Sequence, residues 1–182
     1  MRVIVFGAGL AVTVAVAAAL AAENDVALPF RGVEYFHRWS QGTQHEFTPA
    51  GQEDLQHWTD MVTINAYPAA REGEKMAAAA NAVLENYKRA GGKILKTSSV
   101  PASEKKPAEH FIAAAFTRPD FAEAAFARFK LIDGRGYSFV YSHRIYADKA
   151  GDQMNSWLKE NGEKTERALL DFDPPAAALA AH

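Results

Sequence analysis

Asp133-Gly134 is the dipeptide of tight hairpin turns, and the segment that follows it alternates strictly. Tyr137, Phe139, Tyr141, His143 and Ile145 fall on one face, and Ser138, Val140, Ser142 and Arg144 on the other. Side chains repeat every two residues along a strand, so a slip of one position would carry the whole aromatic set into water. The pattern therefore specifies both the element and its register. This segment is expected to be the central, best-packed strand of a sheet, with Phe139 and Tyr141 buried and His143 partly buried and hydrogen-bonded near its end. The preceding stretch, residues 121–132, supports two readings. Its alanines favour helix, while Phe121, Glu123, Ala125, Ala127, Phe129 and Leu131 form one side of a strand. The turn dipeptide favours strand for its second half, with a helix ending at Gly134 as the alternative.

The same logic places the other elements. Residues 24–33 read as a lead-in, and residues 33–39, rich in aromatic and β-branched side chains, as a first strand. Thr48-Pro49 has the form of an N-cap followed by proline at the first helical position, which predicts a short helix to about His57 with Leu55 and Trp58 inward. Residues 61–67 alternate in the strand manner until Pro68. Over residues 72–89, Met76, Ala77, Ala80, Val83, Leu84 and Tyr87 recur at helical spacing, and Gly91-Gly92 supplies the C-cap. Residues 94–100 and 109–116 read as strands joined by an exposed polar connection. Residues 151–172 read as a second long helix, with Met154, Trp157, Leu158 and Leu169 on one side, ended by Asp173-Pro174-Pro175. The class expected is α+β, a mainly antiparallel sheet packed by two longer helices.

Composition bounds the setting. Met1-Arg2, an apolar run over residues 3–20 and the small-x-small pattern Ala19-Leu20-Ala21 form a signal peptide over residues 1–22, leaving residues 23–182 as a single soluble domain. The competing reading is an uncleaved membrane anchor. With cleavage, no stable membrane insertion remains, and the domain is expected in the periplasm or secreted. There are 0 cysteines, which excludes disulfides, zinc-thiolate sites, a cysteine nucleophile and a lipid-anchored cysteine. The 20 basic and 22 acidic side chains are interspersed, with a formal net charge of −2, and no basic stripe exists to hold nucleic acid.

The run His45-Glu46-Phe47-Thr48-Pro49-Ala50-Gly51-Gln52-Glu53-Asp54-Leu55, with Tyr141-Ser142-His143-Arg144-Ile145-Tyr146 later, resembles uncharacterised exported bacterial proteins. That resemblance implies no activity and no functional residue. In the order of its elements, a sheet followed by a long final helix, the chain is also similar to the PsbP-like fold. The analogy implies binding and assembly rather than chemistry.

Catalytic motifs are absent from the sequence. His37, His45, His57, His110 and His143, near Glu46, Asp54 or Glu109, invite a histidine-dependent metal hydrolase as one reading, but no H-E-x-x-H or H-x-H spacing supports it. No G-x-S-x-G elbow surrounds any serine, and Gly134-Arg135-Gly136 is explained by a hairpin rather than a phosphate loop. Glu46, Glu53, Asp54 and Asp60 read as solvated caps and helix faces, and Trp39, Trp58 and Trp157 as core. The segment 35–47 gathers aromatic, cationic and amide side chains near a loop, which makes Arg38, His45, His143 and Arg144 the candidate ligand-binding residues. For the two arginines the competing reading is a pair of structural salt bridges. No cofactor or metal is expected, and the function expected is an exported binding or assembly module for an unknown protein or small-molecule ligand.

Overall fold

The computed structural model of the chain describes residues 26–104 and 106–180, and the expected signal peptide lies outside them. The strands are β1 (Ala27–Phe30), β2 (Val33–Gln41), β3 (Gln44–Pro49), β4 (Asp60–Tyr67), β5 (Lys93–Val100), β6 (Glu109–Thr117), β7 (Ala122–Ile132) and β8 (Arg135–Ile145). The helices are α1 (Gly73–Arg89), α2 (Ala150–Asp171) and the short α3 (Ala176–Ala180). All eight strands form one sheet in the order β1-β2-β3-β4-β8-β7-β6-β5, every neighbouring pair antiparallel. Two four-stranded meanders thus meet at the β4–β8 pair, with α1 as the connection between them. The expected α+β class holds, with the sheet as its larger part.

The two long helices lie on opposite faces. Along β8, Tyr137, Phe139 and Tyr141 pack in one cluster with Met154 and Leu169 of α2, whereas Val140 packs in the other with Met76, Val83 and Tyr87 of α1. On β7, Ala124 and Phe126 face α2, and Ala125, Ala127 and Phe129 face α1. Both faces of β7 are therefore buried, and a strand apolar on both sides loses the alternation that marks a half-exposed one. That is why residues 121–132 read ambiguously, and the whole of β7 proves to be strand. Phe139 is 0% exposed on the fifth strand of eight, as its alternating face requires.

Two expectations are corrected. Residues 27–30, read as lead-in, form β1, joined to β2 by Arg31 (φ 52°) and Gly32 (φ 77°). Arginine seldom adopts a left-handed backbone. Here its guanidinium donates to Thr165 Oγ1 at 2.8 Å and Asn161 Oδ1 at 3.4 Å on α2, holding the turn from the other end of the chain. The short helix expected from Thr48 to about His57 does not form. Thr48 is paired with Phe36 inside the sheet, and its hydroxyl donates to the Gln52 carbonyl at 2.6 Å. The loop after it is closed by Gln52 Oε1, which accepts from the backbone N–H of Thr59 at 2.8 Å and of Asp60 at 2.9 Å. Side-chain bonds to backbone supply the partners that helical bonds would have made.

The two long-helix readings hold. Met76, Ala80, Val83 and Tyr87 are the buried stripe of α1, and Gly91 (φ 77°) with Gly92 turns the chain back, the Gly92 N–H donating to the Tyr87 carbonyl at 2.8 Å. A Cβ on Gly92 would sit 2.5 Å from the Phe116 ring, so the residue also fits a close approach. The last turn of α2 is fastened to the sheet by Arg128. That guanidinium donates to the Leu169 and Phe172 carbonyls at 3.2 and 2.8 Å and to both carboxylate oxygens of Glu109 at 2.9 Å. Among the described residues no helix is long and apolar enough to cross a membrane.

Candidate functional site

The four residues singled out by sequence are placed on both faces of the sheet. His143 and Arg144 are adjacent on β8 and so point opposite ways. Arg144 faces away from α2, with its guanidinium between the Trp58 ring at 3.9 Å and the Phe121 ring at 4.4 Å. Its Nε donates to Glu123 Oε2 at 2.7 Å, and both members of the pair are buried. Arg38 donates to Thr48 Oγ1 at 3.1 Å, the Pro49 carbonyl at 3.3 Å and Glu53 at 3.2 Å. The two arginines therefore meet only through the β3–β4 loop, Arg38 gripping its start and Arg144 its end, where the Arg144 N–H also donates to the Thr59 carbonyl at 2.8 Å. His45 is buried on the α2 face with Nδ1 3.2 Å from His37 Nε2. In register it lies opposite Ile64, which lies opposite Phe139, four residues along β8 from His143.

His143 sits in a polar cluster that the sequence did not announce. Asp60 Oδ1 accepts from the Tyr141 hydroxyl at 2.6 Å and from His143 Nδ1 at 3.0 Å, while Oδ2 accepts from Thr59 Oγ1 at 3.0 Å. Burial opposes the Asp60 charge, but the bonds from His143 and Tyr141 outweigh it and hold the carboxyl below its usual range. The Tyr141 hydroxyl is pushed up by burial and by the neighbouring carboxylate. The His143 ring stacks on Trp157 of α2 at 4.2 Å. A carboxylate on Nδ1 leaves Nε2 as the basic nitrogen, the arrangement of a general base. Among the described residues no hydroxyl is hydrogen-bonded to His143 to serve as nucleophile, and the cluster joins the start of β4, the end of β8 and α2.

The remaining histidines have separate partners, His57 stacking on Tyr146 at 4.2 Å and His110 lying 2.8 Å from Ser99 Oγ through Nδ1. Among the described residues no group of three or more histidine, aspartate or glutamate side chains converges to hold a metal ion. The metal-hydrolase reading has no ligand set there.

The surface that stands out is the end of the sheet. Among the described residues β5 pairs with β6 alone, and seven of its eight residues are exposed, Leu95 and Val100 among them. Between β5, β6 and the flank of α1 runs a cleft of about 320 Å³, lined by Ala80, Asn81 and Leu84 from the helix, Thr97, Ser98 and Ser99 from β5, and His110, Phe111 and Ile112 from β6. No Lys, Arg, Asp or Glu contributes to it. Burial pushes the His110 imidazole below its ordinary pKa, so the ring is neutral at neutral pH, and its Nε2 is buried without a hydrogen-bond partner. The opposite edge is different. β1 has four residues, and Pro29 in it has no N–H to offer. A second hollow, of about 370 Å³, lies at the start of α1 against Tyr67, Pro68 and Lys75.

Sequence reasoning missed β5 as a surface because its position at the edge depends on β4 pairing with β8, a non-local choice. The one local sign was composition: Lys93, Lys96 and Thr97-Ser98-Ser99 are unusually polar for a strand and are what an edge carries.

The chain belongs to an uncharacterised protein family whose model matches residues 23–173. No curated protein matches it.

Proposed function

We propose that this family member is an exported binding or assembly module that receives an extended segment of a partner protein along the free edge of β5, in the periplasm or outside the cell. The observation that carries the reading is the contrast between the two ends of the sheet. An edge strand presents a row of unpaired N–H and C=O groups, and proteins blunt such edges with brevity or proline where no partner is meant to bind. β1 has both devices; β5 has neither, and its own protection, Lys93, Lys96 and a bulge between Ile94 and Lys96, is confined to its first half. Lys96 is drawn toward α2 by its ion pair with Glu166 at 2.7 Å, which leaves residues 97–100 as the open part of β5. Strand addition of this kind draws affinity from main-chain bonds and needs no catalytic group. The ionic pairs Glu123–Arg144, buried, and Glu109–Arg128, partly buried, are consistent with that, since each is consumed in fastening a loop or helix. The export signal at residues 1–22 and the similarity to the PsbP-like fold favour the same reading.

The test is photocrosslinking in the native cell from position 95 of full-length protein, repeated in Thr97→Pro and Ser98→Pro backgrounds. Of two neighbouring residues on an edge strand, one N–H serves the ladder and the other faces outward. One proline variant is therefore expected to unfold at a lower temperature, and the other to keep its unfolding temperature and lose the crosslinked partner. Equal crosslinking in the variant of unchanged stability, or an equal yield from a probe placed on β1, overturns the reading.

A further inference from the structure

We infer that the cleft between β5 and α1 is a side-chain pocket for the strand added at β5, selecting an extended peptide that carries one large uncharged residue. This rests on the edge-strand reading. Side chains of a strand alternate between the two faces of the sheet, so every second residue of an added strand projects toward the α1 side, on which Ala80, Asn81 and Leu84 line the cleft. A volume of about 320 Å³ is at the small end of ligand cavities and accommodates one large side chain rather than a cofactor. Leu84, Ala80 and Ile112 provide apolar contact, and Asn81, Thr97 and Ser99 are neutral polar groups at its walls.

The charge balance decides the class. No formally charged side chain lines the cleft, and its one titratable group, His110, is a neutral imidazole bonded to Ser99. Lysine, arginine, aspartate or glutamate entering there would lose hydration without gaining an ionic partner, which costs far more than leaving it in water. An uncharged side chain avoids that cost, and one that ends in a hydrogen-bonding group can also partner Asn81, Thr97 or the buried Nε2 of His110. Backbone pairing along β5 thus fixes register, and the cleft reads one residue of the guest.

A displayed library of random heptapeptides, panned on the full chain, tests this. Enriched peptides are expected to share one large uncharged residue at a fixed position. Synthetic copies with that residue changed to alanine or aspartate should bind at least tenfold more weakly by fluorescence anisotropy. Asn81→Trp, an exposed position on the helix wall, should fill the cleft and weaken the parent peptide at least tenfold without lowering the unfolding temperature; Thr97→Trp, exposed on β5, does the same from the strand wall. Peptides that lose binding to the outward-facing proline variant of β5, yet show no side-chain preference and bind both tryptophan variants normally, overturn the pocket and leave the edge reading standing. Failure to enrich any peptide sensitive to that proline overturns both.

Discussion

Glu123→Ala removes one member of the Glu123–Arg144 pair and leaves a guanidinium 6% exposed without its carboxylate. Unit charges 2.7 Å apart attract by about 6 kcal/mol at an effective dielectric of about 20. Desolvating the two ions costs several kcal/mol each, so the intact pair contributes little net stability. Deleting the carboxylate removes the attraction and keeps the cost of burying Arg144, which predicts a loss of about 3–5 kcal/mol. The double variant Glu123→Leu with Arg144→Met keeps an apolar stem between Trp58 and Phe121 and removes both charges, and it should unfold within about 1 kcal/mol of the parent. Urea unfolding of the single and double variants at neutral pH measures both. A single-variant loss below about 1 kcal/mol, the range of exposed pairs, would refute the reasoning, as would a double-variant loss as large as that of Glu123→Ala.

Phe139→Ala should cost about 3–5 kcal/mol in the same assay, because Phe139 is fully buried with its ring 5.7 Å from that of Phe172 and 6.2 Å from that of Tyr137. Gly162→Ala meets no atom within 4 Å in the middle of α2 and should stabilise by about 0.5–1 kcal/mol, whereas Gly134→Ala at φ 71° should destabilise by about 1–2 kcal/mol; thermal unfolding separates the two signs. His110 has a folded-state pKa below 6.5, so the unfolded chain takes up its proton first and stability contributed by the neutral ring is present above pH 6.5 and lost as pH falls below it. His110→Leu should flatten that part of the stability profile, and an unchanged slope between neutral and mildly acidic pH counts against the assignment.

Where sequence and structure agree, the signal was local and one-sided. The β8 hairpin was legible because its turn needs positive φ at Asp133 and Gly134 (49° and 71°) and because its two faces differ in polarity. α1 was legible from its stripe and its glycines. β1 was not, because its turn uses Arg31, an unfavourable residue made tolerable by Thr165 and Asn161 more than 100 positions away. The Thr48-Pro49 signal misled because the hydroxyl expected to cap a helix instead closes a loop onto Gln52. At the candidate site, His143 has the partly buried, hydrogen-bonded place expected of it, but its partner Asp60 is 83 positions distant and was read as a solvated cap. Arg38 and Arg144 each have a carboxylate partner, the structural alternative weighed for both. The β5 edge was beyond local reading, since only strand order makes a strand terminal.

The strand order also sets a route for folding. Every pairing within the two meanders joins consecutive strands, and most of these hairpins close over short turns in microseconds. The β4–β8 pairing alone joins strands far apart in the chain, from Tyr67 with Gly136 to Asp60 with His143, so its loop-closure entropy must be met before its contacts form. The two halves are expected to assemble early and independently, and the rate of the whole domain to be set by their meeting. Until that meeting β4 and β8 are open strands, so this is the interval in which two newly made chains can exchange halves and emerge as an intertwined pair.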